Sequence, residues 1–469
     1  MNQLLTKDYP VFDCDAHVVE AVSLMDYVAE ADRGLIRDFG MWTDEQVAPL
    51  GLLNGSRPIV FCPSSAALRG PGCDVPTQRA LYMRPDLSPE QRQYLDHLGA
   101  REPIARLDDM DIMGIDQVLV IPSTTNSNLP FIQNAHAARS FARALNNWLA
   151  DYCSEAPDRL YPCAAIPTQF VPFAIEELRR VADMGVKVVS IRPGDFNGLY
   201  PNQGAYDPFW RTAEELGLVI GMHTFVAGEP NLPGNRNRRQ YSPGELIWAQ
   251  GARSGLHPTT SQTASFIYEA MTWISYITLS GFLDKYPNLK MTIFESNAMW
   301  LPAVLDQCDR VFKLYKSERR AKADRLPSEA FLSQCKISFE SEEREVFAMH
   351  EYFEQVAIWA SDMYHRDAAT AWEAVETMNK EGTPRDRQER MMCLNACEFY
   401  DIEPKLFVTE QVDWKAPDWF PDEEELARAM KHDALVIENI PPGSPAQMMA
   451  SMFNAGSGTW PGVDDLEVH

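Results

Sequence analysis

Five residues of this chain, Asp15, His17, His223, Glu295 and Asp362, are of the types that hold divalent metals, and each closes an apolar run. Carboxylates and imidazoles supply the oxygen and nitrogen donors that such metals take from proteins. The first two lie in "FDCDAHVVE", residues 12–20, where Asp13, Asp15, His17 and Glu20 crowd together. Each has a plainer reading on its own. An Asp-x-His triplet can merely cap a turn, and a lone buried histidine is usually a satisfied core residue. An aspartate after an apolar run is often a helix N-cap. The readings separate only if the fold brings the residues together.

The elements that must position them are short apolar runs with helical patterns between. The runs cover residues 11–14, 115–123, 159–169, 186–194, 217–224, 289–297, 335–343 and 355–365. Most follow an amphipathic stretch with a Gly or Pro stop, as "FAIEELRRVADMG" does before "VKVVSIRPG". Continuous Val/Ile runs indicate strands buried on both faces. Eight such units predict an α/β fold, a (β/α)8 TIM barrel with its chemistry at the C-terminal strand ends. An open doubly wound sheet is the other arrangement, but no G-x-G-x-x-G or P-loop follows any strand. On a barrel, Asp15 and His17 end the first strand and His223 the fifth. Glu295 and Asn297 end the sixth, and Asp362 and His365 the eighth, so all face one mouth.

Residues 1–400 are expected to form the barrel, with insertions at 21–110 and 225–288. Residues 401–469 read as an acidic C-terminal extension. Long segments beside a catalytic face usually serve as lids or dimer contacts, and a homodimer is expected. Of 469 residues, 45% are hydrophobic and 23% charged, as in ordinary globular proteins. The net charge of −25, from 67 acids and 42 bases, argues against nucleic acid and anionic membranes. No run is long enough to span a bilayer, and "MNQLLTKDYP" has no signal-peptide core. Nine scattered cysteines without a C-x-x-C read as reduced thiols of a cytoplasmic protein. A small-molecule or acyl-carrier partner fits these limits.

The pattern resembles the amidohydrolase superfamily, in the amidohydrolase-2 branch that contains metal-dependent decarboxylases. The resemblance spans most of residues 9–400. It rests on Asp15 and His17, "ARLDDMDIMGIDQVLVIPS", "EAPDRLYPCAAIP", His223, "SGFLDKYPNLKMTIFES" and "SDMYH". It implies Asp15, His17, His223 and Asp362 as metal ligands. Two departures matter. The branch commonly has a histidine where Glu295 stands, and the lysine that bridges two metals in dinuclear hydrolases is absent, Lys187 lying at the start of the fourth strand.

Glu295 could act as a base, or as a ligand for a second metal. With Asp15, Glu20, Asp362, His17, His223 and either His257 or His365 it makes a carboxylate-rich set. That set suits iron or manganese at least as well as zinc. Together with "FESNAMWLP" it resembles the TIM-barrel non-haem diiron monooxygenases of diterpenoid antibiotic (platensimycin/platencin-type) biosynthesis. That resemblance implies two Fe ions, O2, an electron donor, and hydroxylation of an apolar carboxylic acid or its acyl-CoA thioester in secondary metabolism. Glu295, Asp362 and His365 would be catalytic. The alternative is a mononuclear Zn or Mn hydrolase or decarboxylase, and a non-catalytic binding barrel is a third reading. Arg236, Arg238 and Arg239 in "GNRNRRQY" form either a solvated loop or a clamp for coenzyme A phosphates. Trp248 and Asn297 are expected at the substrate. Phe266, Tyr268 and Trp273 would line an apolar pocket or simply pack in the core.

Overall fold

The computed structural model describes residues 4–18, 22–33, 88, 98–122, 129, 134–193, 203–224, 259–318, 323–365, 368–413, 418–419 and 424. Eight parallel strands follow one another in chain order around a single sheet. They are β1 Phe12–Val18, β2 Gln117–Pro122, β3 Leu160–Ala165, β4 Val188–Ile191, β5 Val219–His223, β6 Lys290–Phe294, β7 Cys335–Phe339 and β8 Ala357–Trp359. Helices α1 Pro103–Met113, α2 Ala135–Ser154, α3 Val171–Asp183, α4 Asp207–Glu215 and α5 Thr259–Leu279 precede β2 to β6. Helices α6 Leu301–Leu314 and α7 Pro327–Gln334 precede β7, and α8 Ala371–Glu381 and α9 Asn395–Tyr400 follow β8. The expected barrel is therefore the fold. Its seam is thin: β8 meets β1 through one isolated parallel bridge, Ala16 with Met363.

Two buried layers explain the unbroken apolar runs. Phe12, Cys14, Leu119, Ile121, Cys163, Val188, Val219, Phe294 and Ile358 fill the barrel, floored by Cys393, Cys397 and Tyr400. Val118, Val120, Val189, Ile220, Met291 and Ile293 belong to the layer shared with the helices. Gly221 leaves room inside the barrel, since a Cβ there would lie 2.5 Å from the Phe294 ring.

The floor is also held by a buried ion pair. Lys7 Nζ lies 2.5 Å from Asp116 Oδ2, and both side chains are fully buried. Asp116 also accepts from the backbone N–H groups of Val11, Phe407 and Val408. Lys7 donates further to the carbonyls of Tyr9 and Val408. This ties residues 4–8, antiparallel to residues 409–411, against the barrel.

The first strand runs further than its apolar start suggests, so Asp15 and His17 lie within it. Glu20, His257, Arg236, Arg238, Arg239 and Trp248 lie outside the described residues, as do most of both insertions and of the extension. Among the described residues no helix is long and apolar enough to cross a membrane.

Candidate metal centre

The mouth is built by local departures from regular strand geometry. In β1, Asp13 pairs with Val118 but Ala16 with Val120, so the strand carries one extra residue against β2. Such a bulge re-aims side chains. Phe12 and Cys14 face the barrel interior, Ala16 and Val18 join the outer layer, and Asp15 and His17 are turned together into the mouth. In β6, Phe294 faces inward, so strict alternation would send Glu295 outward. Its φ of 44° breaks the alternation. Asp362, just past β8, likewise has φ 54°. Left-handed backbone is uncommon outside glycine and clusters at functional sites.

Among the described residues, these distortions gather donor atoms into two groups that share His17. Asp15, His17 and His223 offer ligand atoms all within 4.8 Å of one another, and His17, Asp362 and His365 form a second such group. His17 Nε2 lies 3.4 Å from His223 Nε2, 3.4 Å from Asp15 Oδ1 and 3.2 Å from Asp362 Oδ1. His223 Nε2 lies 3.7 Å from Asp15 Oδ1 and 3.5 Å from Glu295 Oε2. Donors about 2.1 Å from a shared cation sit about 3.0–3.4 Å apart in octahedral or tetrahedral arrangement. Four of the five separations exceed ordinary hydrogen-bond lengths.

Electrostatics point the same way. Burial alone would push the Asp15 carboxyl up, but the His223 and His17 rings outweigh it and hold it below the ordinary carboxylate range. Burial holds His17 below the usual imidazole value, against the pull of Asp15. A neutral imidazole is the form that binds metal. His223 Nδ1 lies 2.8 Å from the Thr224 carbonyl, which makes that nitrogen a donor and turns Nε2 toward the cluster. Both carboxylate oxygens of Asp15 are buried without a hydrogen-bond partner. A buried anion left so is costly. The donor set therefore fits a divalent cation.

His365 plays a different part from the one its type suggests. Its Nδ1 is hydrogen-bonded to Asp362 Oδ2 at 3.0 Å, and its ring stacks on His17 with centroids 3.9 Å apart. Asn297, expected at the substrate, lies in the turn after Glu295 with a left-handed φ of 55°. Trp273 packs in the core with its indole N–H 3.2 Å from Met291 Sδ, and Tyr268 is exposed. Neither lines the mouth. Asp362 is not a helix cap; α8 begins nine residues on, capped by Thr370.

Several supporting residues escaped sequence reasoning. Asp13, fully buried, accepts from the backbone N–H of Asp15 and Ser361 and from the Ser361 hydroxyl. Burial lifts its carboxyl to about 7, against the pull of those bonds. Arg106, buried on α1, donates to the His17 carbonyl and to Tyr152 Oη. Glu343 accepts from the N–H groups of Ala298 and Met299 and so anchors the turn after Glu295. Only Asp13 left a trace, in the D-x-D-x-H run; a buried arginine on an amphipathic helix has no sequence signature.

Comparison with known proteins adds three findings. The amidohydrolase family model matches residues 12–402. Gamma-resorcylate decarboxylase of Rhodococcus jostii is 27% identical over 229 residues, 46% of this chain and 63% of the relative. A Rhizobium enzyme of the same name is 28% identical over 198 residues, 40% of this chain and 53% of the relative. The chain thus spans a little over half the length of these curated relatives. Among solved structures, a 5-carboxyvanillate decarboxylase from Novosphingobium aromaticivorans, with bound manganese and a nitrobenzoic acid, matches 85% of this chain and all of its own at TM-score 0.58 and 17% identity. An amidohydrolase from Mycobacterium avium subsp. paratuberculosis matches 84% of this chain and all of its own at TM-score 0.61 and 16% identity.

These relatives overturn the diiron monooxygenase expectation, and with it the oxidoreductase class, the two Fe ions and O2. Counting carboxylates along the chain suggested ligands for two metals; among the described residues the donors fall in two groups that share His17, and His365 is bonded to Asp362.

Proposed function

The chain belongs to the amidohydrolase family, and on that footing we propose that it is a metal-dependent decarboxylase of an aromatic carboxylic acid. One observation carries the reading: a buried nest of two carboxylates and two imidazole Nε2 atoms at the mouth. The decarboxylase names of the curated relatives support the reaction, and the manganese of a solved decarboxylase sharing the barrel supports the metal. Asp15, His17, His223 and Asp362 would hold Mn2+ or Zn2+. The cation would act as a Lewis acid toward the oxygens of the acid.

The chain's own groups then do four things. The carboxylate–imidazole nest fixes where the acid docks. Phe294 beneath it, with its ring centroid 6.3 Å from that of His223, closes the barrel interior to water. Glu295, on the rim beside His223, delivers the proton. The ring carbon bearing the carboxylate takes that proton, the bond to the carboxyl carbon breaks, and its electron pair restores the aromatic ring. The sum is ArCO2− plus H+ giving ArH plus CO2. His365 holds Asp362 through its Nδ1–H.

The test is anaerobic incubation of manganese-loaded protein with 2,6-dihydroxybenzoate and 5-carboxyvanillate. CO2 and the decarboxylated phenol in equal amounts are expected. Turnover that requires O2, or hydrolysis of an amide or ester with no decarboxylation, would overturn the reading.

A further inference from the structure

The seam between β8 and β1 carries a second network that neither the motif nor the ligand set accounts for. Asp13 Oδ1 accepts from Ser361 N at 3.0 Å and from Asp15 N at 3.2 Å, and Oδ2 accepts from Ser361 Oγ. Ser361 Oγ in turn accepts from Met363 N at 2.9 Å. Around this core, Asp362 N donates to the Asp15 carbonyl at 2.9 Å and His17 N to that of Met363. Asp13 and Ser361 are both buried. Elsewhere in the barrel, neighbouring strands are joined by ladders, whereas here, among the described residues, the pairing is one isolated bridge.

Three of the four proposed ligands hang on this seam: Asp15 and His17 on β1, Asp362 just past β8. Both backbones depart there from regular strand form, by the bulge in β1 and the left-handed φ of Asp362. A ladder would hold such residues in a straight strand, so their placement needs another constraint. We propose that Asp13 and Ser361 form a clasp whose role is to position the metal ligands, holding Asp15 and Asp362 where both carboxylates face His17. The four bonds fix the residues flanking both carboxylates, and none goes to a ligand side chain. The two carboxylates repel each other when no cation lies between them. The clasp keeps them together in that state, so the ordering is already done when the metal arrives. This holds whatever acid is turned over, so it stands or falls apart from the decarboxylase reading.

The experiment measures Mn2+ affinity by calorimetry on the metal-free chain, with its thermal midpoint measured beside it. Ser361→Ala removes one oxygen and two hydrogen bonds. It should weaken Mn2+ binding about 10- to 100-fold, the usual effect of losing a residue that orients ligands. Asp13→Asn should do the same, and the double variant should be no worse than the stronger single one, because both break one clasp. Tyr400→Phe is the control for plain destabilisation, since it deletes a buried bond to Thr292 on the barrel floor. It should lower the midpoint and leave Mn2+ affinity unchanged. If Ser361→Ala keeps native Mn2+ affinity, or if Tyr400→Phe weakens Mn2+ binding as much, the clasp is ordinary structural bonding and the proposal fails.

Discussion

The barrel buries charge at both ends and treats it in opposite ways. At the floor, Lys7 and Asp116 face each other at 2.5 Å, and every polar atom they carry is matched by the partner or by backbone. At the mouth, Asp15 is equally buried, yet its carboxylate oxygens lack hydrogen bonds and face imidazole nitrogens 3.4 and 3.7 Å away. Burial alone therefore does not mark a functional site. A satisfied buried pair fixes structure, and an unsatisfied cluster of convergent donors has the chemistry of a cation site.

That contrast can be broken at either end. The largest effect is expected at the mouth. His223→Ala or Asp362→Ala should abolish metal binding and turnover together, because an incomplete donor set holds the ion poorly. Metal analysis of the purified variants checks this, and full occupancy in either one removes that residue from the site. Glu295→Gln should lower kcat by roughly 10²- to 10⁴-fold, the range for losing a proton-transfer group, with metal content intact. Falling stoichiometry would make Glu295 a ligand instead.

At the floor, Lys7→Met leaves Asp116 charged and without its cation. It should cost about 3–5 kcal/mol of unfolding free energy with Mn2+ affinity unchanged. Denaturant unfolding beside a metal titration separates the two quantities. The smallest effect is ligand linkage. Mn2+ at 100 times its dissociation constant should stabilise the wild-type chain by about 2.7 kcal/mol and the His223→Ala variant hardly at all.

The same contrast explains what the sequence could and could not reveal. The eight strands were legible because each is buried on both faces and reads as an unbroken apolar run. The strand ends then pointed to Asp15, His17, His223, Glu295 and Asp362. Three features were not legible. The bulge in β1 has no residue signature, since neither glycine nor proline marks it. The left-handed turn at Glu295 contradicts local preference and is imposed by its surroundings, including Glu343 bonded to the following turn. The seam clasp joins residues 348 positions apart. Metal number failed for a related reason: composition counts donors, and only distances say which of them share one ion.

The most direct test of the central claim is a titration of metal-free protein with Mn2+, with bound metal counted per chain. One ion per chain, lost in the His223→Ala variant, is the predicted result. Two ions per chain, or one that survives removal of His223, would contradict the account.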